Sequence, residues 1–449
     1  MSSIPPLPSY VDALMETFRK ASYTIYVVGG PVRDMLLGKT TDNWDFATNA
    51  TPEHILELFP EASYENDYGT VLVPLVAPGH DAHLIAEITP FRKEGAYKDN
   101  RHPDSVIWAK TIEEDVQRRD FTMNAMAYDG AELIDIVGGQ EDLHSKIVRA
   151  VGDPEKRFAE DALRILRAIR FATQLGFSID AKTQEALIQN AALLNNISWE
   201  RIRDEFLKIL ASDQPAEGVM LLHQTGLLIH FLPELEACFG VEQKSPERHH
   251  IHDVATHLIE SLRHCPSADP ITRLGALIHD IGKPQTRAID EKGVTTFYDH
   301  EIIGAEMADV IAQRLRLSKD QRERLVKLVR YHMFAVTEEQ TDKTIRRFIR
   351  TVGVDTIQDL LDIRTGDRLG SGVPETSWRT ELFKKRLEEV QHLPFTIHDL
   401  NISGGDVMEI LSLQPGRKVG EVLEKLFEMV DGGEVKNEEE ELKKVVRDF

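Results

Sequence analysis

The sequence predicts an α+β protein, in which a mixed N-terminal region of helices and strands precedes a long helical remainder. Up to about residue 143, β-rich runs such as YTIYVVGG, TVLVPLV and AHLIAEIT alternate with short helical segments such as TPEHILELF, whose Thr51 is a suitable N-cap. From Asp153 onward, apolar residues recur at helical spacing. These patterns divide the chain into an α/β head, a helical neck, a third helical domain, and a helical body with a tail, at residues 1–145, 146–240, 241–375 and 376–449.

The composition is typical of a globular protein that works in water. Hydrophobic residues make up 41% of the chain and charged residues 29%, and no run approaches the ~18 apolar residues of a membrane span. The first segment lacks a signal-peptide pattern, so we expect a cytoplasmic protein with no membrane partner. Cys238 and Cys265 have no paired zinc-motif spacing. The net charge of −22 argues against general affinity for nucleic acid, and we expect no DNA partner.

Two glycines and an arginine follow the first apolar strand, in VVGGPVRDMLLG. Gly29 and Gly30 leave backbone N–H groups free to approach a phosphate at the start of a helix. Arg33 lies one turn further on, where its guanidinium group could hold a triphosphate. We therefore take these three residues as candidates for nucleotide binding.

The run RRDFTMNAMAYD adds further groups of the same kind. Arg118 and Arg119 suit phosphate, because a guanidinium group donates several hydrogen bonds in one plane. Asp120 and Asn124 can hydrogen-bond a ribose or order the loop. Arg118, Asp120 and Asn124 are therefore candidate nucleotide-binding residues.

The run WDFAT predicts a strand that carries an acidic side chain. Period-2 alternation sends Trp44 and Phe46 to one face, and the opposite face then carries Asp45 together with Asn43. Two carboxylates on one face suit two-metal phosphoryl transfer, so an amide at the first position is unexpected. Glu87, on another strand, could supply a further carboxylate or be an ordinary exposed residue. We take Asn43, Asp45 and Glu87 as candidate catalytic residues, with Asn43 and Asp45 as ligands of Mg²⁺.

The run EDALR predicts a helix that presents a carboxylate beside a guanidinium group. Asp161 and Arg164 are three residues apart and would share one helical face, where a plain salt bridge is the simpler alternative. Cytosine and adenine each carry an amino donor beside a ring-nitrogen acceptor, which matches this pair, whereas uracil and guanine present the opposite order. The pair could therefore select CTP and ATP without a template. Arg167 and Arg170 complete the candidate nucleotide-binding residues.

The order and spacing of these motifs resemble the class II tRNA nucleotidyltransferase and bacterial poly(A) polymerase superfamily over residues 26–210. The motifs are GGPVRD, WDFATNATPE, FRKEGAYKDNRHPDSV, RRDFTMNAMAYD, DIVGGQEDL, EDALRILRAIRFA and ERIRDEFLKIL. The resemblance implies a polymerase-beta-like nucleotidyltransferase head, Mg²⁺ as cofactor, and template-independent addition of C, C and A to the tRNA 3′ end. Asp161 and Arg164 would then act as the amino-acid template.

One position departs from the family. The family pattern is Asp-x-Asp where this chain has Asn43 and Asp45. An amide oxygen is a neutral and weaker ligand of Mg²⁺ than a carboxylate. The second metal ion should therefore be poorly held unless Asp42 or Glu87 compensates.

Three features bear on the RNA partner. Residues 401–433 resemble the body and tail of the bacterial tRNA enzymes, which favours tRNA over messenger RNA as the primer. Residues 89–106 correspond to a loop that the family associates with switching to ATP, and its full length predicts that a terminal A is within reach. We also predict a stripe of basic neck residues that binds tRNA, formed by Arg201, Arg203 and Lys208.

A second cluster of polar residues lies in the third domain. In ALIHDIGK, His279 and Asp280 end an apolar helix, which is a costly place for polar side chains unless a metal ion compensates. Imidazole and carboxylate groups suit a divalent ion such as Mg²⁺, Mn²⁺ or Ni²⁺. The candidate partners are His257 and Asp367, with His300 and His332 as outer ligands or ligands of a second metal ion.

This second pattern resembles the HD phosphohydrolase superfamily, and an HD domain is a known part of tRNA nucleotidyltransferases. The resemblance implies hydrolysis of phosphate esters, such as a 2′,3′-cyclic phosphate on a damaged tRNA end, by a metal-activated water. The alternative is an HD domain kept for structure alone. Lys283 either neutralises a substrate phosphate or faces solvent.

The motifs leave three functions open. The first is a tRNA 3′-end enzyme, a monomer or homodimer, that uses CTP and ATP and carries an HD domain. The second is an A-adding enzyme or a poly(A) polymerase. The third is an HD phosphohydrolase whose inactive head binds RNA, and Asn43 is the residue that keeps this option open.

Overall fold

The computed structural model describes residues 4–65, 69–76, 84–93, 107–243, 252–291, 293–334, 342–390, 397–432 and 434–449. The chain divides into two compact units. The first contains Met1–Ala237 and Gln313–Leu317, and the second contains Cys238–Ala312 and Ser318–Phe449. No helix within these described ranges is long and apolar enough to cross a membrane.

A mixed sheet forms the centre of the head. Its strands lie in the order β3-β4-β5-β2-β1-β8-β9, and separate two-stranded pairs form as β6-β7, β10-β11 and, in the second unit, β12-β13. The strand bounds are β1 (Ile25–Val28), β2 (Trp44–Thr48), β3 (Ser63–Tyr64), β4 (Val71–Leu75), β5 (Leu84–Pro90), β6 (Arg92–Lys93), β7 (Ile107–Trp108), β8 (Ala127–Tyr128), β9 (Leu133–Ile134), β10 (Ile147–Val148), β11 (Ser178–Ile179), β12 (Ala288–Ile289) and β13 (Thr295–Thr296). The three β-rich runs of the sequence correspond to β1, β4 and β5, so the predicted mixed head is confirmed.

The register of β2 and β5 decides where the acidic side chains lie. These strands run parallel, and Asp45 is the register partner of Glu87. Trp44 and Phe46 are each 1% exposed in the apolar core, whereas Asp45 is half-buried. The alternation predicted for WDFAT is confirmed for these three residues of β2.

Helices cover the sheet and continue into the neck of the first unit. Thr51 caps α3, because its side chain accepts a hydrogen bond from the backbone N–H of His54 at 3.4 Å, as predicted. The helix bounds are α1 (Ser9–Lys20), α2 (Gly30–Leu36), α3 (Pro52–Leu58), α4 (Ile112–Val116), α5 (Gly139–Ser145), α6 (Pro154–Glu160), α7 (Leu163–Leu175), α8 (Ala181–Gln189), α9 (Trp199–Leu210), α10 (Pro215–Gln224) and α11 (Pro233–Glu236).

The motif EDALR is interrupted rather than helical throughout. Helix α6 ends at Glu160, and Asp161 has an extended backbone with φ −139° and ψ 103°. Its carboxylate accepts a hydrogen bond from the Leu163 N–H at 3.1 Å, and such local bonds compete with a continuous helix. The expectation that Asp161 and Arg164 share one helical face is therefore wrong.

The second unit is helical apart from β12 and β13 in its described residues. Gly366 lets two of its helices approach closely, because a Cβ there would lie 2.3 Å from the carbonyl oxygen of Ser261. This approach brings His257 and Asp367 onto facing surfaces. The helix bounds are α12 (Val254–Arg263), α13 (Pro270–Ile278), α14 (Lys283–Thr286), α15 (His300–Arg314), α16 (Lys319–Tyr331), α17 (Asp342–Val352), α18 (Val354–Gly370), α19 (Trp378–Val390), α20 (Gly404–Leu411), α21 (Arg417–Asp431) and α22 (Glu439–Arg447).

Candidate active site and metal centre

A charged cavity of about 350 Å³ lies in the first unit. Its arginines suit the phosphates of a nucleotide, and its carboxylates suit a cation or a hydrogen-bond donor. Arg119, which the sequence predicted to suit phosphate, and Arg201, which it assigned to tRNA binding, also line it. The predicted residues that it brings together are Asp45, Glu87, Arg118, Asp120, Asp161, Arg164 and Arg167.

The carboxylates of Asp45 and Glu87 form the acidic side of this cavity. Burial raises the pKa of Asp45, although the charges of Arg119 and Arg167 act in the opposite direction. Burial and the neighbouring charge of Asp45 raise the pKa of Glu87. Two neighbouring carboxylates that are costly to ionise together fit a divalent cation, because its charge stabilises both. The pair is therefore a suitable ligand set for Mg²⁺.

Asn43 is not among the described residues that line the cavity. The strand β2 begins at Trp44, one residue after Asn43. The Asn43 side chain is exposed, and its backbone carbonyl accepts a hydrogen bond from the Thr41 hydroxyl at 3.0 Å. The shared face of Asn43 and Asp45 stays a prediction, whereas the pairing of β2 with β5 makes Glu87 the register partner of Asp45.

Gly29 keeps the start of α2 open to two charged side chains. Its φ is +72°, and a Cβ would lie 3.3 Å from Arg119 Nη1 and 3.6 Å from Asp45 Oδ2. A Cβ at Gly30 would make an ordinary contact with Arg33 Nη2 at 3.7 Å. The absence of a side chain at Gly29 therefore allows Arg119 and Asp45 to approach the same backbone.

Asp115 orients the two arginines that were predicted to bind phosphate. Its Oδ1 accepts hydrogen bonds from Arg118 Nε at 2.9 Å and Nη2 at 2.6 Å, and its Oδ2 accepts from Arg119 Nε at 3.2 Å and Nη2 at 3.0 Å. Burial alone would raise the pKa of Asp115, but the two arginine charges hold it at about 2. Sequence reasoning missed this residue, although its position three and four residues before the arginines on a helical segment was a usable signal.

Asp120 and Asn124 order the loop around Arg33 and Arg167. Asp120 Oδ1 accepts from the Phe121 N–H at 2.8 Å, and its Oδ2 accepts from Arg167 Nε at 2.8 Å. The charge and hydrogen bonds of Arg167 outweigh the effect of burial and hold the pKa of Asp120 at about 2. Arg33 Nη1 donates to Asn124 Oδ1 at 3.0 Å. These contacts fit the loop-ordering alternative for Asp120 and Asn124, and the ribose alternative stays a prediction.

Asp161 and Arg164 line the same cavity without pairing with each other. Arg201 Nη2 donates to Asp161 Oδ2 at 2.9 Å, so the carboxylate pairs with α9. Arg164 Nη1 donates to Glu160 Oε2 at 2.8 Å, and its Nη2 donates to the Arg118 carbonyl at 3.0 Å. A plain Asp161–Arg164 salt bridge is absent from these described contacts, which leaves the two groups as separate members of the cavity wall.

The other predicted basic residues of this unit lie outside the cavity lining. Arg170 Nε donates to Glu205 Oε2 at 2.5 Å and joins α7 to α9. In the predicted tRNA stripe, Arg203 Nε donates to Asp204 at 2.8 Å, and Lys208 is exposed. Arg201, the third member of the stripe, is the one that enters the cavity.

The second unit gathers the predicted HD ligands around Asp280. Asp280 Oδ2 lies 3.5 Å from His257 Nε2 and 3.4 Å from His279 Nε2. Its Oδ1 lies 3.1 Å from His300 Nε2 and 3.5 Å from His332 Nε2. Two groups of atoms are close enough to hold a metal ion, and Asp280 belongs to both, with His257 and His279 in one and His300 and His332 in the other.

Three of these imidazole rings are fixed by backbone carbonyls. The Nδ1 of His279 lies 2.8 Å from the Ala276 carbonyl oxygen, and the Nδ1 atoms of His300 and His332 lie 2.7 Å from the carbonyls three residues before them. A ring that donates its Nδ1–H in this way keeps its lone pair at Nε2, the atom that faces Asp280. His257 Nε2 and His279 Nε2 lie only 3.3 Å apart, which suits a shared cation.

The carboxylates of this centre are held in their ionised form. Burial would raise the pKa of Asp280, but the charge of Lys283 and the hydrogen bonds of the neighbouring imidazoles hold it well below the ordinary value. Asp367 Oδ1 lies 3.3 Å from His257 Nε2, and this contact lowers the pKa of Asp367 despite burial. Lys283 Nζ lies 2.5 Å from Asp280 Oδ2 and donates to Gln243 Oε1 at 2.6 Å. The alternative that Lys283 faces solvent is therefore wrong.

Three family models match the chain. The Poly A polymerase head domain matches residues 25–149, and the "Probable RNA and SrmB- binding site of polymerase A" matches residues 176–239. The HD domain matches residues 248–360. The three matches follow one another in the order that the sequence motifs indicate.

Three curated relatives are similar to the chain. The CCA-adding enzyme of Leuconostoc mesenteroides is 32% identical over 453 residues, which cover 99% of this chain and 98% of that protein. The A-adding tRNA nucleotidyltransferase of Deinococcus radiodurans is 36% identical over 96% of this chain and 94% of that protein. The CCA-adding enzyme of Geobacillus sp. (strain WCH70) is 45% identical over 224 residues, which are 49% of this chain and 54% of that protein.

The fold also matches a solved structure over nearly the whole chain. The crystal structure of the Bacillus stearothermophilus CCA-adding enzyme in complex with CTP has a TM-score of 0.71 and 27% sequence identity, and the match covers 98% of each chain. The chain therefore belongs to the CCA-adding enzyme family of nucleotidyltransferases, the family that its sequence motifs resemble.

Proposed function

We propose that this protein adds C, C and A to the tRNA 3′ end, with CTP and ATP as the nucleotide donors. The observation that most supports this proposal is that two kinds of functional groups line one cavity. Asp45 and Glu87 offer carboxylates for phosphoryl transfer, and Asp161 and Arg164 offer an acceptor and a donor for the edge of a base. One cavity thus contains the groups for both the chemistry and the choice of nucleotide.

The roles in phosphoryl transfer follow from the contacts. Arg118 and Arg119, oriented by Asp115, would bind the triphosphate and hold its α-phosphate near Asp45. Mg²⁺ bound by Asp45 and Glu87 would neutralise charge on the phosphates during attack by the RNA 3′ hydroxyl. The arginines therefore position the nucleotide, and the carboxylates hold the cation.

The base would be read by the side chains of Asp161 and Arg164. The amino group of cytosine or adenine can donate to the Asp161 carboxylate, and the adjacent ring nitrogen can accept from Arg164. Uracil and guanine place an acceptor where Asp161 needs a donor. A site that hydrogen-bonds its substrate discriminates strongly against a base that leaves its polar groups unpaired.

Incubation with tRNA transcripts that end before CCA, after C and after CC, with each nucleoside triphosphate separately, tests the proposal. We expect CMP on the first two transcripts and AMP on the third. AMP addition to the third transcript alone would instead support an A-adding reaction, the activity named for the Deinococcus relative. Residues 94–106 of the loop that predicts a terminal A lie outside the described residues. The same assay therefore provides the test of that prediction. No incorporation into any transcript would overturn the proposal.

We also propose that the HD centre hydrolyses phosphate esters, such as a 2′,3′-cyclic phosphate at a damaged tRNA end. The supporting observation is that four imidazole Nε2 atoms surround the two oxygens of Asp280. These groups fit Mg²⁺, Mn²⁺ or Ni²⁺, which would supply an activated water. Backbone carbonyls fix the directions of three of these imidazole rings. Buried Lys283 balances the negative charge of Asp280.

A cyclic-phosphate-terminated RNA provides the test of this second activity. His257→Ala should abolish its hydrolysis, because the change removes an imidazole from the centre. His264→Ala, at the exposed end of the same helix, is the matched control and should keep the activity. No hydrolysis by wild type would support an HD domain kept for structure alone, and equal hydrolysis by wild type and His257→Ala would place the activity outside this centre.

The last part of the proposal concerns the tRNA-binding surface, the cellular compartment and the oligomeric state. We propose that exposed Lys208 and half-buried Arg203 contact tRNA in the cytoplasm, in a monomer or homodimer. Charge reversal at both residues should weaken tRNA binding and reduce its dependence on salt, because fewer phosphates would be neutralised. Unchanged affinity and salt dependence would show that the stripe is wrong.

A further inference from the structure

We propose that Arg201 is a positioning residue for nucleotide selection, which holds the Asp161 carboxylate in the direction that reads the base. This inference rests on the proposed function of Asp161 and extends it to α9. The sequence assigned Arg201 only to a tRNA-binding stripe, whereas the structure places it in the wall of the nucleotide cavity.

The hydrogen bonds of Asp161 leave one direction open. Its Oδ1 accepts from Arg201 Nη2 at 3.1 Å and from the Leu163 N–H at 3.1 Å. Its Oδ2 accepts from Arg201 Nη2 at 2.9 Å. A carboxylate oxygen has about two lone-pair directions. Within the described residues, Oδ2 therefore keeps capacity for one further donor, and the amino group of cytosine or adenine is such a donor.

Asp161 needs an external partner because it lies between two helices. Neither α6 nor α7 contains it, so no helical turn restricts its side chain to one rotamer. Arg201 approaches from α9, which is tied to α7 by the Arg170–Glu205 ion pair. A planar guanidinium group on a fixed helix determines the plane of the carboxylate that it binds.

A second nitrogen of Arg201 is buried. Nη1 is buried and has no hydrogen-bond partner in the part of the chain that the structure describes. A buried donor without a partner is unfavourable, and such groups in native proteins are uncommon. The burial of Nη1 keeps this side of the guanidinium group away from water, while Nη2 holds Asp161.

The test compares kcat/KM for CTP and UTP on tRNA that lacks CCA. We expect Arg201→Ala to lower the preference for CTP by about tenfold or more, the size expected when a charged hydrogen bond is lost. Arg201→Lys should retain part of the preference, because it keeps the charge and loses the planar group. Glu200→Gln, the exposed neighbour on the same helix, is the matched control and should keep the full preference.

A double variant distinguishes positioning from a separate structural effect. If Arg201 acts through Asp161, Arg201→Ala combined with Asp161→Ala should have the same CTP preference as Asp161→Ala alone, since the two changes are then not additive. Thermal unfolding of each variant checks that the fold is kept, and Arg201→Lys carries the test if Arg201→Ala does not fold.

The possible outcomes distinguish the positioning role of Arg201 from the base-reading role of Asp161 on which it rests. An unchanged CTP preference in Asp161→Ala would overturn the base-reading role itself. A preference lost in Asp161→Ala and kept in Arg201→Ala would overturn the role of Arg201 alone. An equal loss of kcat/KM for CTP and UTP in Arg201→Ala would also overturn the role of Arg201, because such a loss leaves the preference between the two nucleotides unchanged.

Discussion

Asp45 and Glu87 are register partners in the parallel pairing of β2 with β5, so the head offers two neighbouring carboxylates from two strands. The family pattern takes its acidic pair from a single strand. In this chain the amide of Asn43 is exposed ahead of β2, and the partner of Asp45 comes from β5 instead. We therefore expect Glu87 to supply the second carboxylate for a metal ion at the head, in place of a carboxylate at position 43.

Substitutions at Glu87 and Asn43 test this arrangement. Glu87→Gln should lower CMP incorporation by about tenfold or more and raise the Mg²⁺ concentration needed for half-maximal rate, because one of two metal ligands loses its charge. Asn43→Asp should change CMP incorporation and the Mg²⁺ requirement by less than about threefold, since we expect Glu87 already to supply the second carboxylate. The measurement is incorporation at a series of Mg²⁺ concentrations, with exposed Glu61→Gln as the control. A large gain in Asn43→Asp with no effect of Glu87→Gln would mean that the head is a weakened transferase.

Asp115 gives a prediction for stability and its dependence on pH. Asp115→Asn should lower the free energy of unfolding by about 2 to 3 kcal/mol at neutral pH, because two partly buried arginines lose their shared carboxylate. The folded pKa of about 2 lies below the unfolded value of about 3.9, so this stabilisation is present above pH 4 and lost as the pH falls. About half of it should remain near pH 3.

Urea unfolding of wild type and Asp115→Asn at pH 7, 4 and 3 measures this difference. The gap between the two proteins should narrow steadily as the pH is lowered. A gap that stays constant over this range would show that the loss does not come from the ionised carboxylate. The KM for CTP should also rise in the variant, because Arg118 and Arg119 lose their orientation.

Metal binding at the HD centre should be visible in thermal unfolding. After chelation, Mn²⁺ or Ni²⁺ at a hundred times its dissociation constant should stabilise wild type by about 2.7 kcal/mol, provided that the unfolded chain does not bind it. Asp280→Asn should lose this response, since Asp280 belongs to both candidate ligand groups. His264→Ala should keep it. An equal rise in Tm for Asp280→Asn and wild type would place the metal ion elsewhere.

A buried ion pair in the second unit explains part of a basic run in the sequence. Arg346, in KTIRRFIR, is 3% exposed, and its Nε donates to Asp431 Oδ1 at 2.7 Å, which joins α17 to α21. Arg346→Ala should lower the unfolding free energy by about 3 to 5 kcal/mol, because it leaves a buried charge poorly paired. Arg346→Met combined with Asp431→Leu should recover most of this loss in urea unfolding. A double variant as unstable as Arg346→Ala would contradict the explanation.

The fold and the HD ligands could be predicted because their signals are local or have fixed chemistry. Strand alternation, an N-cap at Thr51 and a His-Asp pair at the end of an apolar helix are all readable without tertiary contacts.

The parts that could not be predicted depend on contacts between elements. The break at Asp161 follows from a side-chain bond to the Leu163 backbone, which a helical period cannot show. Arg201 looked like a surface residue of the neck, because nothing in its own helix indicates the cavity that it reaches. Asp115 was overlooked because an acidic residue near two arginines is common on exposed helices.

The carbonyl contacts of the HD imidazoles have a consequence for transplanting such a centre. Because the ring orientation of His279, His300 and His332 is set by main-chain oxygens three residues earlier, the side chains alone do not define the ligand geometry. A protein engineer would have to copy three helix termini, with their backbone path, to reproduce it. Conversely, a change in the apolar core that tilts one of these helices would alter affinity for the ion without touching any ligand.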